Sequence, residues 1–271
     1  LLNQLTQMDG FIQVVRCFEN DNVPHPAGSV DPARDLAVMD SEFLLNDLIA
    51  VERKLERLAE ERKKCGGRDR STFEREIALF ERMQAALTNE TILRDVDLAA
   101  EEEKMLSGFG FLSRKPVLVV FNLAEGQSAP TIPYTHRRSQ TVALQGRLEM
   151  DIAQLPPEDA ELFMAEYGIE EPSLKRMIRL SYDQLGLMSF FTVGPDEVRA
   201  WTVQRGATAP EAAGEIHTDL QKGFIRAEVV TYDDLTTLGG LAEARAKGKL
   251  RLEGKEYIVH DGEVLNIRFA I

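Results

Sequence analysis

The chain has 271 residues, 44% hydrophobic and 28% charged, which fits a globular protein of two or three domains. A net charge of −13 argues against a general binder of DNA or of anionic membranes, which carries a basic footprint; a local RNA contact stays open. Two cysteines, Cys17 in an apolar run and Cys65 in a charged loop, make no disulfide framework and suit a reducing cytoplasm.

No apolar run reaches the roughly 18 residues that a membrane span needs. The opening "LLNQLTQMDG" has no initiator Met and no signal-peptide pattern, so a fragment or a processed product is expected. Residues 11–18, "FIQVVRCF", are β-branched and aromatic, and predict a strand buried on both faces of a parallel sheet. Pro24, Pro26, Gly28 and Pro32 predict a loop over 20–35.

From 40 to 64 the period changes. Leu44, Leu48, Val51, Leu55 and Leu58 form a heptad seam that Asp40 or Ser41 could cap. "CGGRDRS" at 65–71 breaks it, and a second seam follows: Phe73, Ile77, Phe80, Met83 and Leu87. Two helices joined by a short glycine turn predict an antiparallel coiled-coil hairpin. Its charges suit a solvated face, or else a docking arm for a partner. A third helix is expected over 97–107, with Glu101, Glu102 and Glu103 on its solvated side.

Strand character resumes at 116–122 and 141–145, and helical patterning fills 157–186. From 187 onward come short strands separated by glycine and proline turns, with one helix within "APEAAGEIHTDLQKG". That suits a small α+β module of ubiquitin-like size, whose last two strands would be split by a hairpin at Asp261-Gly262. Trp201 reads as a core residue more readily than as a stacking platform.

One stretch draws attention. The strand "VLVVF" ends in "NLAE", residues 122–125. Ligands of open parallel sheets sit at the carboxyl ends of the strands. There Glu125 could accept base N–H groups while Asn122 braces neighbouring loops. On spacing alone the tetrapeptide reads more readily as a polar strand-to-helix turn.

The chain resembles the YchF family, the Obg-like ATPases of the translation-factor class of P-loop NTPases. The resemblance rests on "QVVRCFEN", "VDPARDLAVMDSEFLLNDLIAVERKLERL", "RKPVLVVFNLAE", "EVRAWTVQRGATAPEAAGEIHTDLQKGFIRAEVVTYDDL" and "GKEYIVHDGEVLNIRF", and covers essentially the whole chain. It implies an α/β fold: a parallel-sheet NTPase domain, here truncated, over 1–38 and 114–186. An inserted coiled-coil hairpin would fill 39–113, and a β-grasp TGS domain 187–271. It also implies that N-x-x-E replaces the N-K-x-D of ordinary GTPases, which favours ATP over GTP. Asn122 and Glu125 are then the base-side residues. Leu123 stands where a lysine would stack, and its backbone would contact the base. Gln145 and Gly146 fall in the next base-side loop, where Gln145 departs from the usual Ser. The family's helix between these strands is not expected here, because "GQSAPTIPYTHRRSQ" is short and carries prolines.

A phosphate cradle needs G-x-x-x-x-G-K-[ST], and residues 1–271 contain none. "KGKL" and "GKE" lack its first glycine and its hydroxyl, and Asp183-Gln184-Leu185-Gly186 reads as a helix end with a glycine stop. The resemblance places the phosphate and Mg²⁺ ligands before residue 1. The parent would be a nucleotide hydrolase, and this chain alone would not be active. No catalytic or metal-binding residue is expected within it, and His25, His136, His217 and His260 are scattered. The TGS-like module suggests ribosome or RNA contact, although its acidic residues slightly outnumber its basic ones. The rival reading is a non-catalytic interaction module built from the helical arm and the β-grasp domain.

Overall fold

The computed structural model describes residues 2–63, 70–194 and 197–270. Contacts divide the chain into two compact units, Leu1–Gln184 and Leu185–Ile271.

The first unit holds a parallel three-stranded sheet, order β1-β2-β3, made of β1 (Phe11–Arg16), β2 (Val117–Asn122) and β3 (Ser139–Leu144). Its helices are α1 (Leu2–Leu5), α2 (Pro32–Lys63), α3 (Arg70–Thr88), α4 (Ala100–Leu106), α5 (Gly146–Ile152), α6 (Pro157–Glu166) and α7 (Ser173–Leu185), with a 3₁₀ turn at Leu93–Asp95. The middle strand β2 is apolar on both faces, and both are covered. Val117, Val119 and Phe121 pack with Val15, Cys17 and Leu36. Leu118 and Val120 pack with Val142 and with Met177 and Leu180 of α7.

The expectation for residues 11–18 needs correcting. β1 is an edge strand, and Ile12 and Val14 are 53% and 64% exposed. Only its Val15 side enters the core. Apolar composition cannot tell a strand with two covered faces from one with a single covered face.

The start of the long helix also differs. α2 begins at Pro32, and its cap is Asp31, whose carboxylate accepts from the Arg34 N–H at 3.1 Å. Proline at the first helical position gives up an N–H that would have no partner there. The Pro-rich stretch concealed this start. Asp40 and Ser41 lie inside the helix instead. Ser41 donates to the Ala37 carbonyl, and Asp40 accepts from Tyr134.

Every seam residue of α2 and α3 named above joins one apolar cluster, together with Leu79, Leu93, Leu106 and Phe111. Lys54 and Glu76 pair between the two helices at 2.7 Å. Residues 65–69 of the expected glycine tip, Cys65 among them, lie outside the described residues; Arg70 and Ser71 already belong to α3. The acids of α4 face outward, but they are paired: Glu101 with Arg75, Glu102 with Arg82, Glu103 with Arg114. Residues 123–138 form an irregular connection with no helix, as their prolines predict. Two helices end at a glycine; the stop at Gly186 follows expectation, whereas Gly168 divides the helical patterning of 157–186 into α6 and α7. Gly168 (φ 65°) comes just after α6 and Gly186 (φ 67°) just after α7, so Asp183–Gly186 is a helix terminus.

The second unit comprises β4 (Leu187–Val193), β5 (Val198–Gln204), α8 (Ala209–Ile216), α9 (Thr218–Lys222), β6 (Phe224–Thr231), α10 (Tyr232–Leu238), α11 (Leu241–Ala246), β7 (Arg251–Glu253) and β8 (Glu263–Phe269). The sheet order is β5-β4-β8-β6-β7, with β4 and β8 parallel and the other pairs antiparallel. α8 opens with a capping box in which Glu211 accepts from the Thr208 N–H at 2.7 Å. Its Ala209, Ala212 and Ala213 pack on Phe190, Val203 and Val229. Trp201 packs against the same cluster while its indole N–H donates to Thr192 at 2.9 Å.

The expected hairpin at Asp261-Gly262 does not form. β8 pairs with β6 and β4, and the segment before the turn makes only an isolated bridge, Thr208 to Ile258. The turn docks on β4 instead: Asp261 accepts from the Ser189 N–H at 2.9 Å, and the Gly262 N–H donates to the Ser189 carbonyl at 2.8 Å. Asp-Gly does specify the left-handed backbone, with Gly262 at φ 78°, but the strand partners are chosen by distant pairing.

Candidate functional site

The carboxyl ends of the three parallel strands are tied level. The Cys17 N–H donates to the Asn122 carbonyl at 2.9 Å, and the Leu123 N–H donates to the Leu144 carbonyl at 2.8 Å. The Asn122 side chain then reaches beyond its own strand, and its Oδ1 accepts from the Gly146 N–H at 3.0 Å. Gly146 opens α5, where backbone N–H groups have no partner within the helix. The fit is close: a Cβ at position 146 would stand 2.8 Å from Asn122 Oδ1.

A tight turn follows Leu123. The Gln127 N–H donates to the Ala124 carbonyl at 3.2 Å, and Gly126 takes φ 69°. The Gln127 side chain closes the turn twice. Its Oε1 accepts from the Ala124 N–H at 2.8 Å and its Nε2 donates to the Cys17 carbonyl at 2.6 Å. Glu125 is exposed on this turn, while Leu123 is buried with Val15 and Cys17.

Beside the turn lies a cleft of about 550 Å³ lined by Leu123, Leu144, Gln145, Leu148 and Tyr167, among others. Glu149 braces its wall by accepting from the Ser173 N–H at 3.0 Å, which links α5 to the first turn of α7. Asn122 and Gly146 therefore touch, and Leu123 and Gln145 share the cleft. Glu125 stands apart from that lining.

The far end of the 123–138 connection is also anchored. Tyr134 donates to Asp40 at 3.0 Å and accepts from Arg94, whose guanidinium is wholly buried and also donates to the Ser113 and Lys115 carbonyls. Burial pushes the Tyr134 hydroxyl well above its usual range. His136 meets Asp95 at 2.6 Å.

Sequence reasoning missed Gln127, Glu149 and the Arg94 cluster. Gln127 has no spacing rule behind it, because its partners are a nearby amide and a carbonyl 110 positions away. His217 plays a local structural part, since its Nδ1 accepts from the Asp219 N–H at the start of α9. Among the described residues, no group of three or more His, Cys, Asp or Glu side chains could hold a metal ion. No described helix is long and apolar enough to cross a membrane.

Fold and rim together define a two-sheet α/β protein with a polar turn at the carboxyl ends of a parallel sheet. A family model named YchF-GTPase_C, described as "Protein of unknown function (DUF933)", matches residues 187–270. The chain is 41% identical to the ribosome-binding ATPase YchF of Escherichia coli O157:H7, covering all of this chain and 75% of that protein. It is 33% identical to Obg-like ATPase 1 of Oryza sativa subsp. japonica, covering 70% of that protein. The solved structure of the Schizosaccharomyces pombe YchF GTPase superposes with a TM-score of 0.82 at 28% identity, covering 98% of this chain and 74% of that one. The chain belongs to the family of YchF and Obg-like ATPases.

Proposed function

We propose that this chain supplies the base side of an ATP site, with GTP the weaker ligand, in a protein that hydrolyses ATP and works at the ribosome in the cytoplasm. ATP hydrolysis and ribosome binding come from the name of the Escherichia coli relative. The observation that carries the reading is the Asn122–Gly146 hydrogen bond. It holds the "NLAE" turn against the start of α5, so that two loops flank one place at the sheet rim.

In this reading Asn122 braces the two loops and Glu125 reads the edge of the base. A carboxylate only accepts. Guanine presents two N–H donors side by side, whereas adenine presents one amino group beside an acceptor. Glutamate in place of the shorter aspartate moves the acceptor out of register with guanine's pair. The Leu123 amide is committed to Leu144, so backbone contact from Leu123 falls to its carbonyl. Gln145 and Gly146 face the base from the other side.

The exposed acid at 125 suits a donor-bearing base. Within residues 1–271 no G-x-x-x-x-G-K-[ST] occurs, so phosphate and Mg²⁺ ligands are not assigned to this chain. Bound Mg²⁺ would neutralise phosphate charge during transfer. The chain's own part is to hold and orient the purine.

We assign residues 1–38 and 114–186 to the nucleotide domain, 39–113 to an inserted coiled-coil arm and 187–271 to a TGS domain. The paired seams of α2 and α3 support the arm, and the mixed sheet with α8 across it supports a β-grasp module. Arm and module are the surfaces offered to ribosome or RNA.

The first test is the coding sequence upstream of Leu1. A G-x-x-x-x-G-K-[ST] in frame is expected, whereas a stop codon or unrelated sequence would favour a non-catalytic interaction module. Calorimetry of ATP, ADP and GTP on the full-length gene product should then show ATP bound more tightly than GTP. The reverse order would overturn the role given to Glu125.

A further inference from the structure

The turn that carries Glu125 is gripped from both ends by a single residue of the neighbouring strand end. The Cys17 N–H donates to the carbonyl of Asn122, where the turn begins. The Cys17 carbonyl accepts from the side chain of Gln127, where it ends. Between these points the same Gln127 side chain binds the Ala124 N–H. The amide uses its two chemically different ends on two different segments, and no other neutral side chain of that length can both donate and accept. Glu125 lies between the fixed points and is exposed.

An exposed carboxylate on a loose loop discriminates poorly, because the entropy lost in ordering the loop on binding offsets the new hydrogen bonds to the ligand. A turn already fixed by two side-chain bonds avoids that loss. We infer that Gln127 is a positioning residue for base selection: it touches no nucleotide, and it holds the 123–126 turn so that Glu125 meets the base in one pose. The inference rests on the ATP-site reading above and adds to it a residue on which base preference depends.

The test uses the full-length gene product and three forms: the parent, Gln127→Met and Gln127→Glu. Methionine keeps the length and packing and removes both bonds. Glutamate can still accept from Ala124 but cannot donate to Cys17. The measurements are KM and kcat for ATP and GTP, thermal melting, and amide hydrogen exchange at Ala124 and Glu125.

For Gln127→Met the expected result is a loss of ATP-over-GTP preference of roughly three- to tenfold, the scale of one or two ordinary hydrogen bonds. The loss should appear in KM, with kcat unchanged, and with faster exchange at Ala124. Gln127→Glu sets a carboxylate oxygen against the Cys17 carbonyl and should lose at least as much preference as Gln127→Met; it decides the matter if the methionine form melts early. A parent that prefers ATP and a variant that keeps the full preference would overturn this inference alone. A parent with no preference would overturn both this inference and the ATP-site reading.

Discussion

Two buried carboxylates show how neighbours decide the charge of one residue. Glu228 on β6 is 8% exposed, yet it accepts from Arg268 and Arg245, each at 2.7 Å, and from Asn266 at 3.1 Å. The hydrogen bond from Arg268 holds its carboxyl below the usual range, against the opposing effect of burial. The fold thus favours ionised Glu228. Its contribution to stability is full above the ordinary carboxylate range and is lost as pH falls through the depressed value. Melting of the second unit should weaken as pH falls below the ordinary carboxylate range, and Glu228→Gln should flatten that part of the profile. Asp47 has the opposite balance. Burial pushes it up, although Ser113 and the Leu112 N–H donate to it at 2.7 and 2.8 Å. Neither residue could be recognised from its own surroundings in sequence. Asp47 looks like one more polar residue on an amphipathic helix, and the partners of Glu228 lie 17 to 40 positions away. Asn122 was legible for a local reason: a polar residue ends an apolar run. Its bond to Gly146 spans 24 positions and was not legible.

At the scale of elements, the periodic signals carried furthest. The α2–α3 seam follows from spacing alone, because helical period and burial are the same fact seen twice. Phe80 is fully buried there, with Phe109 at 5.1 Å between ring centroids. Phe80→Ala should cost roughly 3–5 kcal/mol in denaturant unfolding of the first unit. Leu45→Ala, at a position 55% exposed on the same helix pair, should cost less than about 0.5 kcal/mol. Signals that depend on a distant partner carried less far. The exposed side of β1 could not be seen because coverage of a strand face depends on elements elsewhere in the chain. The Asp261-Gly262 turn was read correctly as a turn and wrongly as a hairpin, since a dipeptide sets backbone sign but does not choose partners. The start of α2 was hidden by Pro32, which breaks a helix everywhere except in its first turn.

For the whole chain, each unit closes its own core. Among the described residues, the clusters around Phe190 and around Val264 draw only on residues between Met188 and Ile267. Residues 185–271 expressed alone should therefore fold, giving a cooperative melt and dispersed amide resonances; a spectrum of unfolded type would contradict this. The first unit binds its pieces differently, through the enclosed guanidinium of Arg94. That group joins the long helix, the 3₁₀ turn, the segment before β2 and the connection after it. Removing one partner of a buried cation leaves its charge poorly compensated and is costly. Were Tyr134 or Asp40 replaced singly, the remaining pair would be left with an unbalanced demand. Asp40, Arg94 and Tyr134 should therefore behave non-additively in denaturant unfolding: once one of them is replaced, replacing a second should cost less than it does in the unaltered protein.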